Sequence, residues 1–103
     1  MALVRVVMAS SSVLDLAPVV PVVVIGDADD AVPLARALVA GGLRAIEVTL
    51  RTPAALDAIR AIAEQVPDAV VGAGTVITPE QVKECVAAGA RFLVSPGWTD
   101  VLL

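Results

Sequence analysis

Apolar residues along the chain alternate with polar ones, or run together, in four short stretches that predict buried β-strands. In residues 44–51 every second residue is aliphatic, and the polar residues Glu47 and Thr49 stand between them. This two-residue period sends neighbouring side chains to opposite faces of a strand. The other three predicted strands are apolar runs at Val19–Ile25, Ala69–Thr75 and Arg91–Ser95, so that strands recur about every 24 residues.

The segment after the first strand carries helix start and stop signals. The acidic cluster within residues 27–30 is typical of a helix N-terminus, where carboxylates accept hydrogen bonds from free backbone N–H groups. The same cluster could bind a metal ion, but capping is the favoured interpretation. Pro33 is tolerated only in a first helical turn. This helix is therefore predicted to begin near Asp30 and to end at Gly41-Gly42.

Two more helices are predicted further along the chain. Thr52 and Pro53 are residue types expected of an N-cap and a first helical residue. Residues 78–81 have the spacing of a capping box, and the helix that they start is predicted to end at Gly89. Cys85 falls on the apolar face of this helix, which favours a core residue over a nucleophile.

The beginning of the chain is less regular. Residues 1–9 show no clear period and are predicted to form an N-terminal extension, with disorder as one interpretation and Met8 as a candidate for the true start. One of the serines at 10–12 is expected to cap a short helix through Leu16. Residues 10–103 are then predicted to form a single domain.

Serial β-α units of this kind build either a doubly wound sheet or a (β/α)8 barrel of the TIM type. Short connections and polar residues on the inward strand face favour the barrel. A complete barrel needs ~250 residues and at least ~200, whereas this chain has 103. The predicted fold class is therefore α/β, with the first four β-strands and about three and a half β-α units of a barrel, preceded by the short N-terminal helix.

Composition agrees with such a fold and narrows the function. The chain is 58% hydrophobic and 17% charged, with a mean hydropathy of +0.91, as expected of strands covered on both faces. A net charge of −4 with scattered basic residues argues against a nucleic-acid partner. The longest uncharged apolar run, residues 17–26, is too short to span a bilayer. No membrane partner is expected, and the cytoplasm is the expected location.

Cysteine and histidine content excludes several kinds of site. The chain has no histidine, and Cys85 is its single cysteine. Disulfide frameworks, zinc sites with Cys or His ligands, and Cys/His or Ser/His catalytic pairs are therefore excluded within these residues.

Polar residues gather where the predicted strands end. Glu47 and Arg51 belong to the second strand, Thr75 follows the glycines of residues 72–74, and Ser95-Pro96-Gly97 end the fourth strand. In β-α folds the carboxyl ends of the strands hold the site. A carboxylate and a guanidinium four residues apart could shuttle protons and bind a small anion there. Two alternatives stay open: Glu47 could lie in water on an edge strand, and the glycines could form a packing turn rather than admit a ligand.

Three motifs together resemble those of a known family. Residues 47–52 read Glu-Val-Thr-Leu-Arg-Thr, residues 71–76 read Val-Gly-Ala-Gly-Thr-Val, and residues 92–97 read Phe-Leu-Val-Ser-Pro-Gly. In order and spacing they resemble the 2-keto-3-deoxy-6-phosphogluconate aldolase / 4-hydroxy-2-oxoglutarate aldolase family. The resemblance includes residues 18–24 and 32–35, and it extends from about Ser12 onward.

This resemblance implies a class I aldolase on a (β/α)8 barrel, usually a homotrimer, in Entner-Doudoroff carbohydrate metabolism. Such an enzyme reversibly cleaves a 2-keto-4-hydroxy acid to pyruvate and an aldehyde through a lysine Schiff base, without a cofactor or a metal ion. By resemblance, Glu47 is the proton-transferring acid/base, and Arg51 and Thr75 hold the pyruvate carboxylate. Pro96 would shape the pocket wall.

The sequence departs from the family pattern at the Schiff-base lysine. The family carries that lysine on a later strand, in a Lys-Phe-Phe-Pro-like segment that has no counterpart here. Lys83 is the only lysine, and it is predicted on a helix, on the wrong side of the strands. The 103 residues are thus expected to be the N-terminal half of an aldolase barrel and to lack activity alone. The choice between a phosphorylated sugar acid and 4-hydroxy-2-oxoglutarate stays open.

Two other functions were weighed against the enzyme. One is a non-catalytic half-barrel module that assembles with itself or with a complementary half, since an open sheet leaves edges and apolar surface to cover. The other is a flavodoxin-like ligand binder. It is disfavoured because the acidic helix start repels phosphate and no G-x-G-x-x-G follows the first strand.

Overall fold

In the computed structural model, residues 2–8 and 19–94 are described. They form an α/β fold in which strands and helices alternate after the first two strands. In chain order the elements are β1 (Ala2–Met8), β2 (Val19–Ile25), a 3-10 turn (Ala28–Asp30), α1 (Ala31–Ala40), β3 (Ala45–Thr49), α2 (Ala55–Gln65), β4 (Val70–Gly74) and α3 (Pro79–Ala88).

Strands β2, β3 and β4 are adjacent and parallel, in the sheet order β1-β2-β3-β4. Val48 of β3 is in register with Val23 of β2 and with Ala73 of β4. Helices α1 and α2 connect these strands, as a parallel pairing requires. The first three predicted strands are therefore confirmed, and β3 lies in the middle of the sheet.

Strand β1 pairs antiparallel with β2 over its full length, from Ala2 opposite Ile25 to Met8 opposite Val19. Disorder, one interpretation of the N-terminal extension predicted at residues 1–9, is wrong for residues 2–8, which form this strand. An edge strand pairs through its backbone donors and acceptors, whatever its side chains are. It therefore needs no hydrophobic period, and the sequence pattern could not predict it. The helix predicted after the serines at 10–12 lies outside the described residues.

The chain beyond α3 continues the sheet next to β4. The amide of Arg91 donates to the Val71 carbonyl at 2.8 Å, the amide of Ala73 donates to the Phe92 carbonyl at 3.0 Å, and the amide of Val94 donates to the Ala73 carbonyl at 2.8 Å. Ala73 and Leu93 form a parallel bridge. Residues 91–94 thus run parallel to β4 at the position of the predicted fourth strand, with one bridge. Ser95 lies outside the described residues.

The described helices lie against one face of the sheet. Alternate residues of β2, β3 and β4 contribute to the core between these strands and the helices, and the residues between them point to the opposite face. The core cluster joins Val23, Ile25, Ile46, Val48, Val71 and Ala73 of the strands to Ala31, Ala35, Ala58, Ile59, Ile62, Cys85 and Ala88 of the helices. Glu47 and Thr49 are buried but belong to the opposite face, which no helix within residues 19–94 covers and which is termed the helix-free face.

Helix ends follow the predicted signals at α1 and α3. Asp27 caps the 3-10 turn by accepting a hydrogen bond from the Asp29 amide at 2.9 Å, and α1 begins at Ala31, so Pro33 lies in its first turn. Helix α3 has the predicted capping box, and Gly89 ends it at φ 107°. Among the helices that the structure describes, none has the length and apolar character needed to cross a membrane.

Candidate functional site

The carboxyl ends of β3 and β4 meet at one edge of the sheet. Thr49 and Gly74 are register partners, and the Leu50 amide donates to the Gly74 carbonyl at 2.9 Å. Arg51 and Thr75 follow directly after these residues. The parallel pairing therefore brings the two predicted carboxylate-binding residues to the same edge of the sheet.

Glu47 is buried on the helix-free face of β3, with 8% of its surface exposed. Its register partner is Gly72, but its carboxylate extends towards the carboxyl edge and lies over Gly74. A Cβ built on Gly74 would collide with Glu47 Oε2 and would lie 2.7 Å from its Cδ. Because β3 is central and Glu47 is buried, the alternative of a solvated edge strand is wrong.

Two threonine hydroxyls tie the end of β3 to β2. Thr49 Oγ1 donates to the Val23 carbonyl at 3.3 Å, and Thr52 Oγ1 donates to the Ile25 carbonyl. The prediction that Thr52 caps α2 is wrong, because α2 begins at Ala55 and no side chain caps it. The Thr52 hydroxyl donates to the last carbonyl of β2 instead of capping the helix. This hydrogen bond links the turn after β3 to the end of β2.

Thr75 has a backbone conformation that is rare for its residue type. Its φ is 61°, in the left-handed region, and it is the one non-glycine residue with positive φ among residues 2–8 and 19–94. A β-branched residue seldom adopts this conformation, and such strain is found preferentially at functional sites. Thr75 is partly buried, whereas Arg51 is exposed in the turn after β3.

Phe92 lies next to Gly72, the register partner of Glu47, which the sequence did not reveal. Its ring lies over Gly72, where a Cβ would collide with the ring carbons. The two glycines of β4 thus each leave room for a neighbouring side chain, Gly72 for Phe92 and Gly74 for Glu47. Glycines in the middle of a strand indicate such close approaches, but the sequence does not show which group approaches. The predicted pocket residue Pro96 lies outside the described residues.

The remaining candidate groups lie away from Glu47. Cys85 is buried in the core on the helix side, and its pKa is raised by burial and, to a smaller extent, by the Glu84 carboxylate. This confirms the core interpretation, since a raised pKa disfavours the reactive thiolate. Lys83 is exposed on α3. Within the part of the chain that the structure describes, no group of His, Cys, Asp or Glu could hold a metal ion.

The chain is similar in sequence to known aldolases. Residues 10–103 match the model of the KDPG and KHG aldolases. The chain is 58% identical over 94 residues to the KHG/KDPG aldolase of Escherichia coli K12, covering 91% of this chain and 44% of the relative. It thus spans less than half the length of that relative.

Two crystal structures of aldolases are similar to this chain in fold. The 2-keto-3-deoxy-6-phosphogluconate aldolase of Zymomonas mobilis ZM4, solved with 3-phosphoglycerate, matches with a TM-score of 0.84 and 57% identity over 88% of this chain and 43% of that one. The KDPG aldolase of Legionella pneumophila, with pyruvate captured as a covalent carbinolamine, matches with a TM-score of 0.77 and 55% identity over 81% and 40%. The chain therefore belongs to the KDPG and KHG aldolase family.

Proposed function

We propose that these residues supply the proton-transferring and carboxylate-binding half of a class I aldolase site. The reaction is the reversible cleavage of 2-keto-3-deoxy-6-phosphogluconate or 4-hydroxy-2-oxoglutarate to pyruvate and an aldehyde. The observation that carries the proposal is the position of Glu47. A carboxylate buried on a central strand, on the face opposite the described helices, extends towards the carboxyl edge where a β-α fold holds its site.

Each proposed residue has a distinct role. Glu47 carries protons to and from the oxygen atoms of the substrate as the carbinolamine forms and the carbon–carbon bond breaks. Arg51 pairs with the pyruvate carboxylate, since a guanidinium can bind both carboxylate oxygens, and the Thr75 hydroxyl donates a further hydrogen bond. The covalent carbinolamine of pyruvate in the Legionella relative supports this type of chemistry.

The Schiff-base lysine of the proposed reaction comes from polypeptide outside these 103 residues. Lys83 is exposed on α3, and α3 packs on the face opposite to Glu47. An amine there cannot share a substrate with that carboxylate. The proposed whole is a (β/α)8 barrel, of which β2, β3, β4 and the segment 91–94 are successive strands. A cytoplasmic homotrimer is the proposed form of the complete enzyme.

A chimera tests the proposal. Residues 10–103 are continued with the C-terminal part of the E. coli relative, and pyruvate release is measured with both candidate substrates. The chimera is expected to cleave at least one of them and to be trapped by borohydride with pyruvate, whereas the 103-residue chain is not. Glu47→Gln should lower kcat by about 100-fold or more. A fully active Glu47→Gln chimera, or trapping of the chain at Lys83, would contradict the proposal.

A second candidate function is a half-barrel module that assembles with itself or with a complementary half. The observation in its favour is exposed apolar surface. Val86 on α3 is 59% exposed, and Leu93 and Val94, next to β4, are 38% and 41% exposed. Light scattering of the 103-residue chain distinguishes the two. A stable monomer at high concentration counts against the module.

A further inference from the structure

Gly74 is placed to control where the Glu47 carboxylate can lie. Paired residues of parallel strands share a face, so Gly74, the partner of Thr49, is on the same face as Glu47. Its missing side chain leaves the space that the carboxylate occupies: a Cβ there would meet Oε2, with Cδ at 2.7 Å and Cγ at 3.0 Å. Apart from Gly74 and its chain neighbours, no other atom of the described residues comes as close to this position.

The Phe92 ring occupies the space above the residue of β4 that lies opposite Glu47. This register partner is Gly72, and the ring fills the position above that glycine. Glu47 is therefore blocked from lying straight across the sheet. Its carboxylate extends instead over Gly74, towards the edge where Arg51 and Thr75 follow the strands.

The backbone at Gly74 does not require glycine. Its φ lies outside the left-handed region, unlike those of Gly42 and Gly89. The conformation is open to any L-residue, so the close approach of Glu47 is what the missing side chain accommodates. Gly74→Ala would therefore displace the end of a flexible side chain and leave the strand in place.

We infer that Gly74 is a positioning residue for Glu47: it leaves the notch that holds the carboxylate at the carboxyl edge of the sheet, where the reaction is proposed to occur. This inference rests on the proposed function for its catalytic consequence only. The notch itself is a matter of packing, and it can be tested without activity.

A double-mutant cycle in the chimera measures the catalytic consequence. A displacement of about 1 Å can cost about 100-fold in rate, so Gly74→Ala is expected to lower kcat by about that factor, with KM changed by less than about threefold. In the Glu47→Gln background, where the proton carrier is already lost, Gly74→Ala should change kcat by less than about threefold. A general structural defect would instead lower kcat equally in both backgrounds, and that result would overturn the inference.

Two glycine controls isolate the notch. A Cβ at Gly41 meets nothing closer than 3.5 Å, so Gly41→Ala should leave kcat unchanged. Gly42→Ala places a side chain at a positive φ where a Cβ meets no atom within 4 Å, so its effect on melting temperature should be the same with and without Glu47.

A thermal cycle on the 103-residue chain tests the notch independently. Gly74→Ala is expected to lower the melting temperature by about 4 °C or more when Glu47 is present, and by less than about 1 °C in the Glu47→Ala background. If the parent chimera is inactive but this coupling is found, the notch stands and the proposed function falls. If the chimera is active and neither cycle shows coupling, the inference about Gly74 falls and the proposed function stands.

Discussion

Thr75 combines a left-handed backbone with a proposed contact to substrate, and the two can be separated by substitution. The left-handed region costs an L-residue about 1 to 2 kcal/mol, and Thr75 lies there at φ 61°. Glycine avoids that cost, but its greater conformational freedom in the unfolded chain lowers the free energy of unfolding by about 0.5 to 1 kcal/mol relative to alanine. The difference predicts that Thr75→Gly is more stable than Thr75→Ala by about 0.5 to 1 kcal/mol.

Urea denaturation gives the free energy of unfolding of both variants, compared at equal m-values. A matched control is Ala37, which is exposed within α1, where Ala37→Gly should destabilise by about 0.5 to 1 kcal/mol. The sign of the glycine–alanine difference is thus expected to be opposite at the two positions. An alanine variant at position 75 as stable as the glycine variant would refute the strain.

The proposed contact between Thr75 and the substrate is tested by measuring KM in the chimera. A hydrogen bond to a charged group contributes about 1.5 to 3 kcal/mol, so loss of the Thr75 hydroxyl should raise KM by about 10- to 100-fold. Thr75→Ser keeps the hydroxyl and should stay close to the parent, whereas Thr75→Gly should not. Equal KM values for the serine and glycine variants would show that the hydroxyl does not bind substrate.

Three further predictions concern stability. Burial raises the pKa of the Cys85 thiol, so the folded state holds its proton more tightly than the unfolded state does. Unfolding free energy should then fall as pH rises above the usual thiol pKa, and Cys85→Ala should remove this dependence in urea titrations from pH 7 to 10. Gly89 and Gly42 both have a positive φ, but a Cβ on Gly89 would lie 2.7 Å from the Ala63 Cβ, whereas a Cβ on Gly42 meets no atom within 4 Å. Gly89→Ala should therefore lower the unfolding free energy by at least about 1 kcal/mol more than Gly42→Ala does. Equal losses would argue against the collision. Thr52→Val removes the hydroxyl that donates to the Ile25 carbonyl and should cost about 1 kcal/mol by calorimetry; no loss would mean that water replaces the hydroxyl.

Much of the fold could be predicted because its signals are local. The alternation around Glu47 predicts β3, and the Thr78 capping box and Gly89 predict both ends of α3. These signals act through the nearest turn of the backbone, so neighbouring residues are enough to read them. Strand β1 and the Thr52 hydroxyl bond have partners far along the chain or across the sheet. No periodicity marks such partners.

The candidate site divides in the same way. From the sequence alone came the identities of Glu47, Arg51 and Thr75 and their position at the strand ends. The sequence left open whether Glu47 is buried, and it carried no sign of the left-handed backbone of Thr75 or of the carboxylate lying over Gly74. Residue order determines which side chains alternate along one strand. Which of them touch across strands depends on register and on the space that neighbouring side chains leave, and only the assembled sheet decides both.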